Sequence, residues 1–256
     1  MAGDRSVRLK EVTKTFATRG DRLTALDKVS LDCPAGSFTA LIGPSGCGKS
    51  TMLRLALGLD APDSGSVEVG GQAPRAAILT GTTGVAFQDA ALLPWRSVES
   101  NIALPLDVHG KRRSDYSGRI AELIGLVGLK GFEQSLPGEL SGGMRQRVSI
   151  ARALVTNPDI LFLDEPFGAL DQILRRQMNI ELQRIWSESK ATALLVTHGI
   201  DEAVFLADRV VVMQSRPGRI TSTIAVPFTR PRRKELFTDP AFHKLTDLVA
   251  RALHGE

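Results

Sequence analysis

Two cysteines in 256 residues, Cys33 and Cys47, are too few for a disulfide framework. No apolar run approaches the roughly 18 residues that a bilayer-crossing helix needs, and Met1 to Lys10 lacks the apolar stretch of a secretion signal. The expectation is a chain that stays in the cytoplasm and meets a membrane only through something embedded in it. Charge of one sign is scarce as well. Against 28 acidic residues stand 32 Lys and Arg, and a net +4 is too small to argue for nucleic acid. Internal repeats and low-complexity segments are missing too. What remains is 43% hydrophobic and 23% charged, enough for one large domain, or a domain with a subdomain, around a sizeable core.

One stretch dominates what is there. Gly43-Pro44-Ser45-Gly46-Cys47-Gly48-Lys49-Ser50-Thr51 fits the pattern G-x-x-x-x-G-K-[ST]. Phe38 to Ile42 before it reads as a short buried strand, and Ser50 to Leu59 after it as a helix. Three glycines let the backbone wrap an anion with its N–H groups inward, and the helix aims its positive end at the same point. Lys49 is then expected to reach the β- and γ-phosphates of a nucleotide, and the Ser50 hydroxyl to hold Mg²⁺. Cys47 stands where a small residue is tolerated, and alkylation there is expected to block nucleotide entry.

Around this loop the chain changes pattern several times. Val7-Arg8-Leu9-Lys10 and Val29-Ser30-Leu31-Asp32 alternate apolar and polar positions, as antiparallel strands with one wet face do. Ser66 to Val69 is a similar strand. Phe16 precedes an expected loop, Ala17 to Arg22, and reads as a core residue, with stacking on a base as the alternative. Gly84 to Phe87 is a strand ending in Gln88. From Asp89 to about Thr156 the pattern is helical, broken by Pro94, Pro105 and Pro137, and reads as an inserted helical subdomain with Ile120 to Val127 facing the core. Ile160-Leu161-Phe162-Leu163 and Ala193 to Val196 are continuous apolar runs, expected of strands covered on both faces. The first ends in Asp164-Glu165 and the second in Thr197-His198. With the strand before Gly43, three buried strands deliver polar groups past their carboxyl ends, the edge where open parallel sheets bind ligands.

Leu174, Met178, Leu182 and Ile185 recur at helical spacing and mark a crossover helix with the methionine in the core. Asp201-Glu202 opens a short helix, Arg209 to Met213 is a strand, and Arg216-Pro217-Gly218-Arg219 a turn. The tail from Thr221 holds a strand-like piece, a basic segment from Arg230 to Lys234 and a last helix near Pro240 to Leu253. The basic segment reads as solvated surface, with contact to anionic lipid headgroups as the alternative. A second anion-binding helix start lies at Ser141-Gly142-Gly143, where alone a plain cap is the simpler reading.

In combination these motifs change meaning. A phosphate loop, Gln88, Leu140-Ser141-Gly142-Gly143-Met144, a strand ending Asp164-Glu165, Ala169-Leu170-Asp171 and His198, in that order, resemble the ATPase subunits of ABC transporters over nearly the whole chain. Leu92-Leu93-Pro94-Trp95-Arg96, Phe167-Gly168-Ala169-Leu170-Asp171 and Ser215-Arg216-Pro217-Gly218-Arg219 are similar to the nitrate, sulfonate, taurine and bicarbonate import group. Met144, Gly199 and Phe16 depart from the residues usual in the family.

The resemblance implies an α/β fold of the P-loop NTPase class. Its core sheet is mostly parallel, with an N-terminal antiparallel β subdomain and the helical subdomain at 89–156. Residues 1–88 and 157–220 form the nucleotide-binding core, and 221–256 the tail. It also implies Glu165 as general base or orienter of water, His198 at the γ-phosphate and Ser50, Gln88 and Asp164 at Mg²⁺, with Phe16, Gly43 to Thr51, Ser141 to Gly143 and Asp171 as the nucleotide-binding residues. The implied partners are a second copy binding head to tail around ATP, a membrane permease bordered by Leu93 to Trp95, and indirectly a solute-binding protein. The chain would then be peripheral on the inner face of the cell membrane. An alkanesulfonate or taurine is the first expected cargo, with nitrate, bicarbonate or a pyrimidine vitamin precursor as alternatives. A soluble ABC ATPase of chromosomes or ribosomes is the rival class, but the long coiled-coil insertion or second cassette usual there is missing. A P-loop kinase leaves Leu140 to Met144 and His198 unexplained.

Overall fold

The computed structural model describes residues 4–18, 21–168, 170–215 and 217–255. Strands β1 (Val7–Thr18), β2 (Asp21–Cys33) and β3 (Phe38–Ile42) lead into α1 (Lys49–Ala56), followed by β4 (Ser64–Val69), α2 (Pro74–Leu79) and β5 (Thr83–Ala86). Four helices come next: α3 (Val98–Ile102), α4 (Leu104–Val108), α5 (Ser117–Leu126) and α6 (Gly142–Leu154). The chain then alternates through β6 (Ile160–Asp164), α7 (Gln172–Ser189), β7 (Thr192–Val196), α8 (Ile200–Leu206) and β8 (Arg209–Gln214), and ends with β9 (Arg219–Ala225) and α9 (Pro240–His254).

The alternating segments form an antiparallel sheet in the order β2-β1-β4. Val7 and Leu9 point inward while Arg8 and Lys10 stay wet, so one face pays for burial and the other keeps its charges in water. The apolar runs form the second sheet, β5-β6-β7-β3-β8-β9, parallel except for the β8–β9 hairpin. Both faces of this sheet are covered, and the side-chain alternation sorts each strand between two cores. Phe38, Ala40, Ile42, Leu161, Leu163 and Leu195 face a core shared with α3 to α9. Leu41, Ile160, Phe162, Leu194 and Val196 face a core shared with α1 and the antiparallel sheet. Each such large side chain, buried fully, contributes about 1.5–3 kcal/mol. Leu41 and Asp164 both register with Val196, so β3, β6 and β7 end at one edge.

Several expectations need correction. The loop expected from Ala17 to Arg22 is strand up to Thr18 and again from Asp21, with Ala17 paired to Arg22; residues 19 and 20 lie outside the described residues. Residues 89–97 are not helical, whereas the break expected at Pro105 is present: α3 stops at Ile102 and α4 starts at Leu104, with Pro105 in its first turn, where no intrahelical donor is needed.

The basic segment is the largest correction, because it is not a solvated surface throughout. Arg232 is 3% exposed and its guanidinium donates to the carbonyls of Val204, Phe205, Ala207 and Phe228. Burial pulls its pKa down to about 10. Arg230 pairs with Asp208 at 2.8 Å and lies over the Trp186 ring, 4.2 Å from its centroid. These two cations fasten the tail to the ends of α8 and α7, satisfying carbonyls that the helix C-terminus leaves open; Arg233 and Lys234 remain exposed. Among the described residues no helix is long and apolar enough to cross a membrane.

Candidate active site

Past Ile42 the chain turns sharply into α1. Gly48 sits at φ 98°, and a Cβ there would stand 2.6 Å from Leu26 Cδ2 and 2.9 Å from the Ala25 carbonyl, so only glycine fits. No side chain caps α1, which leaves its first N–H groups free to meet an anion. Lys49 is buried and arches back over the loop, donating to the carbonyls of Gly43 at 2.7 Å and Pro44 at 3.1 Å. Cys47 is fully buried beneath the loop, with its sulfur 3.8 Å from the Lys49 ammonium. The alkylation expected at Cys47 is therefore not supported, because the thiol faces the core and the loop presents its backbone instead.

Beside the loop lies a cavity of about 400 Å³, a size suited to a small ligand. Ser45, Gly46, Gly48, Lys49, Ser50 and Thr51 line it from the loop and α1, Gln88 and Glu165 from the ends of β5 and β6, and Phe16 from β1. Gly43 is buried behind this wall and Pro44 lies on its outer side, exposed. The core reading of Phe16 fails: the ring is 36% exposed on the cavity wall, with the Lys14 ammonium 5.5 Å from its centroid.

At the far end of the loop the acidic strand end is ordered by an unusual backbone. Glu165 adopts φ 46°, a left-handed conformation costing about 1 kcal/mol or more for a residue with a Cβ. Its N–H donates to the Val196 carbonyl at 2.8 Å, which holds the bend. The bend directs the carboxylate at two partners. Gln88 Nε2 donates to Glu165 Oε2 at 3.3 Å, and His198 Nδ1 stands 3.3 Å from the same oxygen.

Asp164 keeps one oxygen, Oδ1, buried without a hydrogen-bond partner among the described residues. Burial raises its pKa, the neighbouring Glu165 adds to the rise, and Lys49 opposes it. The unpartnered Asp164 oxygen and, on the cavity wall, the Ser50 hydroxyl and Gln88 amide oxygen are hard oxygen donors of the kind that fits Mg²⁺.

The second helix start is of another kind. Ser141 caps α6, its Oγ accepting the Met144 N–H at 3.2 Å. Ser141 and Gly142 are exposed, and none of Ser141, Gly142 and Gly143 lines the cavity. The Met144 side chain packs against the core, so its departure from a polar residue costs no visible contact. Asp171 caps α7 by accepting the Leu174 N–H at 3.0 Å and also lies outside the cavity; Ala169, beside it, is outside the described residues.

Other contributors carried weak signals or none. Gly218 belongs to the turn expected at 216–219, of which residue 216 is outside the described residues. Its backbone packs against Ala25 and Cys47 so closely that any Cβ would collide with both carbonyls. Gln146, buried on α6, donates to the Phe87 carbonyl at 2.9 Å and so holds the residue before Gln88. Asn101, fully buried, accepts from Leu93 N–H and donates to the carbonyls of Leu93, Arg96 and Ser97, fixing the loop that exposes Trp95.

A strand–loop–helix phosphate cradle at the carboxyl edge of a parallel sheet, joined there by acidic, amide and imidazole groups from other strand ends, defines a P-loop nucleoside triphosphatase. The chain belongs to the ABC transporter family, whose profile matches residues 26–168. It binds and hydrolyses ATP as a member of that family. It is 41% identical to the aliphatic sulfonates import ATP-binding protein SsuB of Bacillus subtilis, over 95% of this chain and 92% of that protein. Against the taurine import ATP-binding protein TauB of Rhizobium johnstonii the identity is 43%, over 94% and 93% of the two chains. With the bicarbonate transport ATP-binding protein CmpD of Synechocystis it is 42%, over 96% and 88%. The fold superposes on the dimeric bacterial ABC transporter cassette MJ0796 with a TM-score of 0.79 and 32% identity, covering 87% of this chain and all of that one. A post-hydrolysis dimer of the same cassette, bound to ADP and Pi, gives a TM-score of 0.78.

Proposed function

We propose that this chain energises import of a small anionic solute through a separate membrane permease, working as an ATP-dependent homodimer on the inner face of the cell membrane. The observation that carries this reading is the division of the two phosphate-binding helix starts. One is built into a cavity with Glu165 and Gln88; the other, at Ser141, is exposed and outside it. A single nucleotide fills the first. A second copy, turned head to tail, brings its Ser141-Gly142-Gly143 start to the open side of that nucleotide, in keeping with the dimeric cassettes that the fold resembles.

In this reading the loop amides and Lys49 neutralise the phosphates, and Phe16 offers its ring to the base. Ser50, Gln88 and Asp164 hold Mg²⁺, which when bound neutralises charge on the terminal phosphates. Glu165 accepts a proton from, or orients, the attacking water, and His198 links that carboxylate to the γ-phosphate. Asp171 lies on the dimer side of the loop after β6. The exposed Trp95, on a loop fixed by Asn101, faces the permease, and a solute-binding protein delivers cargo to the permease from outside. Nucleic acid has no part in it.

Glu165→Gln keeps the shape and removes the base, slowing hydrolysis by about 10²–10⁴-fold. Light scattering is expected to show this variant as a monomer without nucleotide and a dimer with Mg-ATP. Adding Ser141→Arg abolishes the dimer while ATP still binds. A Glu165→Gln protein that binds ATP yet stays monomeric at high concentration would overturn the two-site arrangement.

The names of the relatives favour an alkanesulfonate or taurine as cargo, with bicarbonate behind; nitrate and a pyrimidine vitamin precursor are alternatives that none of these names carries. Deleting the gene is expected to abolish growth on alkanesulfonates as sole sulfur source; unchanged uptake of every sulfonate would remove that cargo.

A further inference from the structure

The strand end that carries His198 is tied down by a buried carboxyl outside the named motifs. Glu202, in the first turn of α8, is 4% exposed. Its Oε2 accepts a hydrogen bond from Thr197 Oγ1, and Thr197 Oγ1 in turn accepts the Gly199 N–H at 2.9 Å. The residues on both sides of His198 are therefore held by one chain of hydrogen bonds that ends on Glu202. Thr197 is also anchored from below, its N–H donating to the Leu41 carbonyl of β3 at 3.2 Å. The turn packs directly on Glu202: a Cβ at position 199 would touch both its Cβ and Oε2 at 3.4 Å.

Helix capping does not explain the residue, since no side chain caps α8. Glu202 Oε1 is buried with no hydrogen-bond partner among the described residues, so the site bears the cost of an unsatisfied polar atom. What the carboxyl adds is a rigid link beneath the turn that presents the imidazole to Glu165. That turn needs such a link, because the His198 side chain is 59% exposed and has little packing of its own to fix it.

We propose that Glu202 is a positioning residue for ATP hydrolysis, acting through Thr197 and Gly199 to hold His198 at the Glu165 carboxylate. The inference rests on the role given to His198 above, and the test separates the two. Steady-state ATPase is measured on the full chain, with the melting temperature followed for each variant. Glu202→Gln keeps an acceptor for Thr197 and is expected to stay within about threefold of wild type. Glu202→Leu matches the size but breaks the link, and kcat is expected to fall about 10- to 100-fold with little change in KM, as misplacement of a reacting group does. Thr197→Val is expected to copy this loss and Thr197→Ser to restore the rate, which keeps the test decisive should Glu202→Leu fail to fold. Combined with His198→Ala, either disruptive change is expected to add nothing, since the residues act as one unit.

Full activity in Glu202→Leu or Thr197→Val, or losses that multiply in the double variants, would overturn the proposal. If His198→Ala itself leaves hydrolysis intact, the reading of His198 fails instead, and any loss in Glu202→Leu then belongs to another route.

Discussion

Two glycine-rich helix starts in this chain have the same local chemistry and opposite surroundings. At α1 the loop carries a buried lysine beneath a cavity, Gly43 and Gly48 are forced by close neighbours, and no side chain caps the helix. At α6 a serine caps the helix, the start is exposed, and Gly142 has ample space, its nearest neighbour being Arg145 Nη2 at 3.8 Å from a would-be Cβ. A helix N-terminus is thus only half of an anion site. Convergent groups from other strands complete the first within one chain, whereas the second lies open toward whatever approaches it.

Breaking the first start should have the largest effect. Gly48→Ala forces a Cβ into Leu26 and Ala25 at a backbone angle that L-residues avoid. Misplacing the loop by about 1 Å is expected to weaken nucleotide binding and hydrolysis by about 10²-fold or more. Titration with a fluorescent ATP analogue checks this, and near-normal binding would show that the cradle does not depend on its glycines.

Behind the first site lies a buried titratable group. Burial pushes the Glu202 carboxyl up to about 7 from 4.5, Glu165 adds to the rise, and Thr197 and Arg175 oppose it. Below pH 4.5 folded and unfolded chains both hold the proton. Between 4.5 and 7 the unfolded chain releases it while the folded chain keeps it, so stability falls as pH rises and levels off above 7, by about 3 kcal/mol at most. Chemical denaturation at pH 5 and pH 8 is expected to show Glu202→Gln gaining on wild type at the higher pH. An equal difference at both values would mean that Glu202 titrates normally.

Smaller effects sharpen the contrast from the other side. Ser141→Ala removes the cap bond to Met144 and should cost about 1 kcal/mol of stability, read as a modest fall in melting temperature. Gly142→Ala meets only Arg145 Nη2 at an ordinary 3.8 Å and should alter stability by less than about 1 kcal/mol, in the stabilising direction. Neither change should alter ATP binding by the monomer, and both should weaken ATP-driven association. Reduced ATP binding by the monomer in either variant would place the α6 start inside the first site.

The legibility of the two regions in the sequence differs for the same reason. The loop at Gly43 to Thr51 is local: one contiguous pattern with a strand before it and a helix after it sets the backbone, so the cradle could be read directly. The buried strands were equally plain, because Ile160 to Leu163 and Ala193 to Val196 are apolar at every position and only a sheet covered on both faces has use for such a run. Phe16 taken alone reads as core, because exposure depends on what the strand faces and a single aromatic carries no such information; only the surrounding motifs point its ring at a nucleotide.

Sequence alone determined the fold class, the phosphate cradle and the set of polar groups at the strand ends, since each follows from residue type at short range. Tertiary structure decided the rest through long-range contacts. It buried Arg232 and stacked Arg230 on Trp186, turning an apparent surface run into an anchor, because the open carbonyls at the end of α8 come from residues 204 to 207. It brought Gln88, Glu165 and His198 to one oxygen across chain separations that no spacing rule spans. It also set Glu202 beneath His198, because only the path of β7 into α8 decides whether a carboxyl in a helix's first turn faces water or the core.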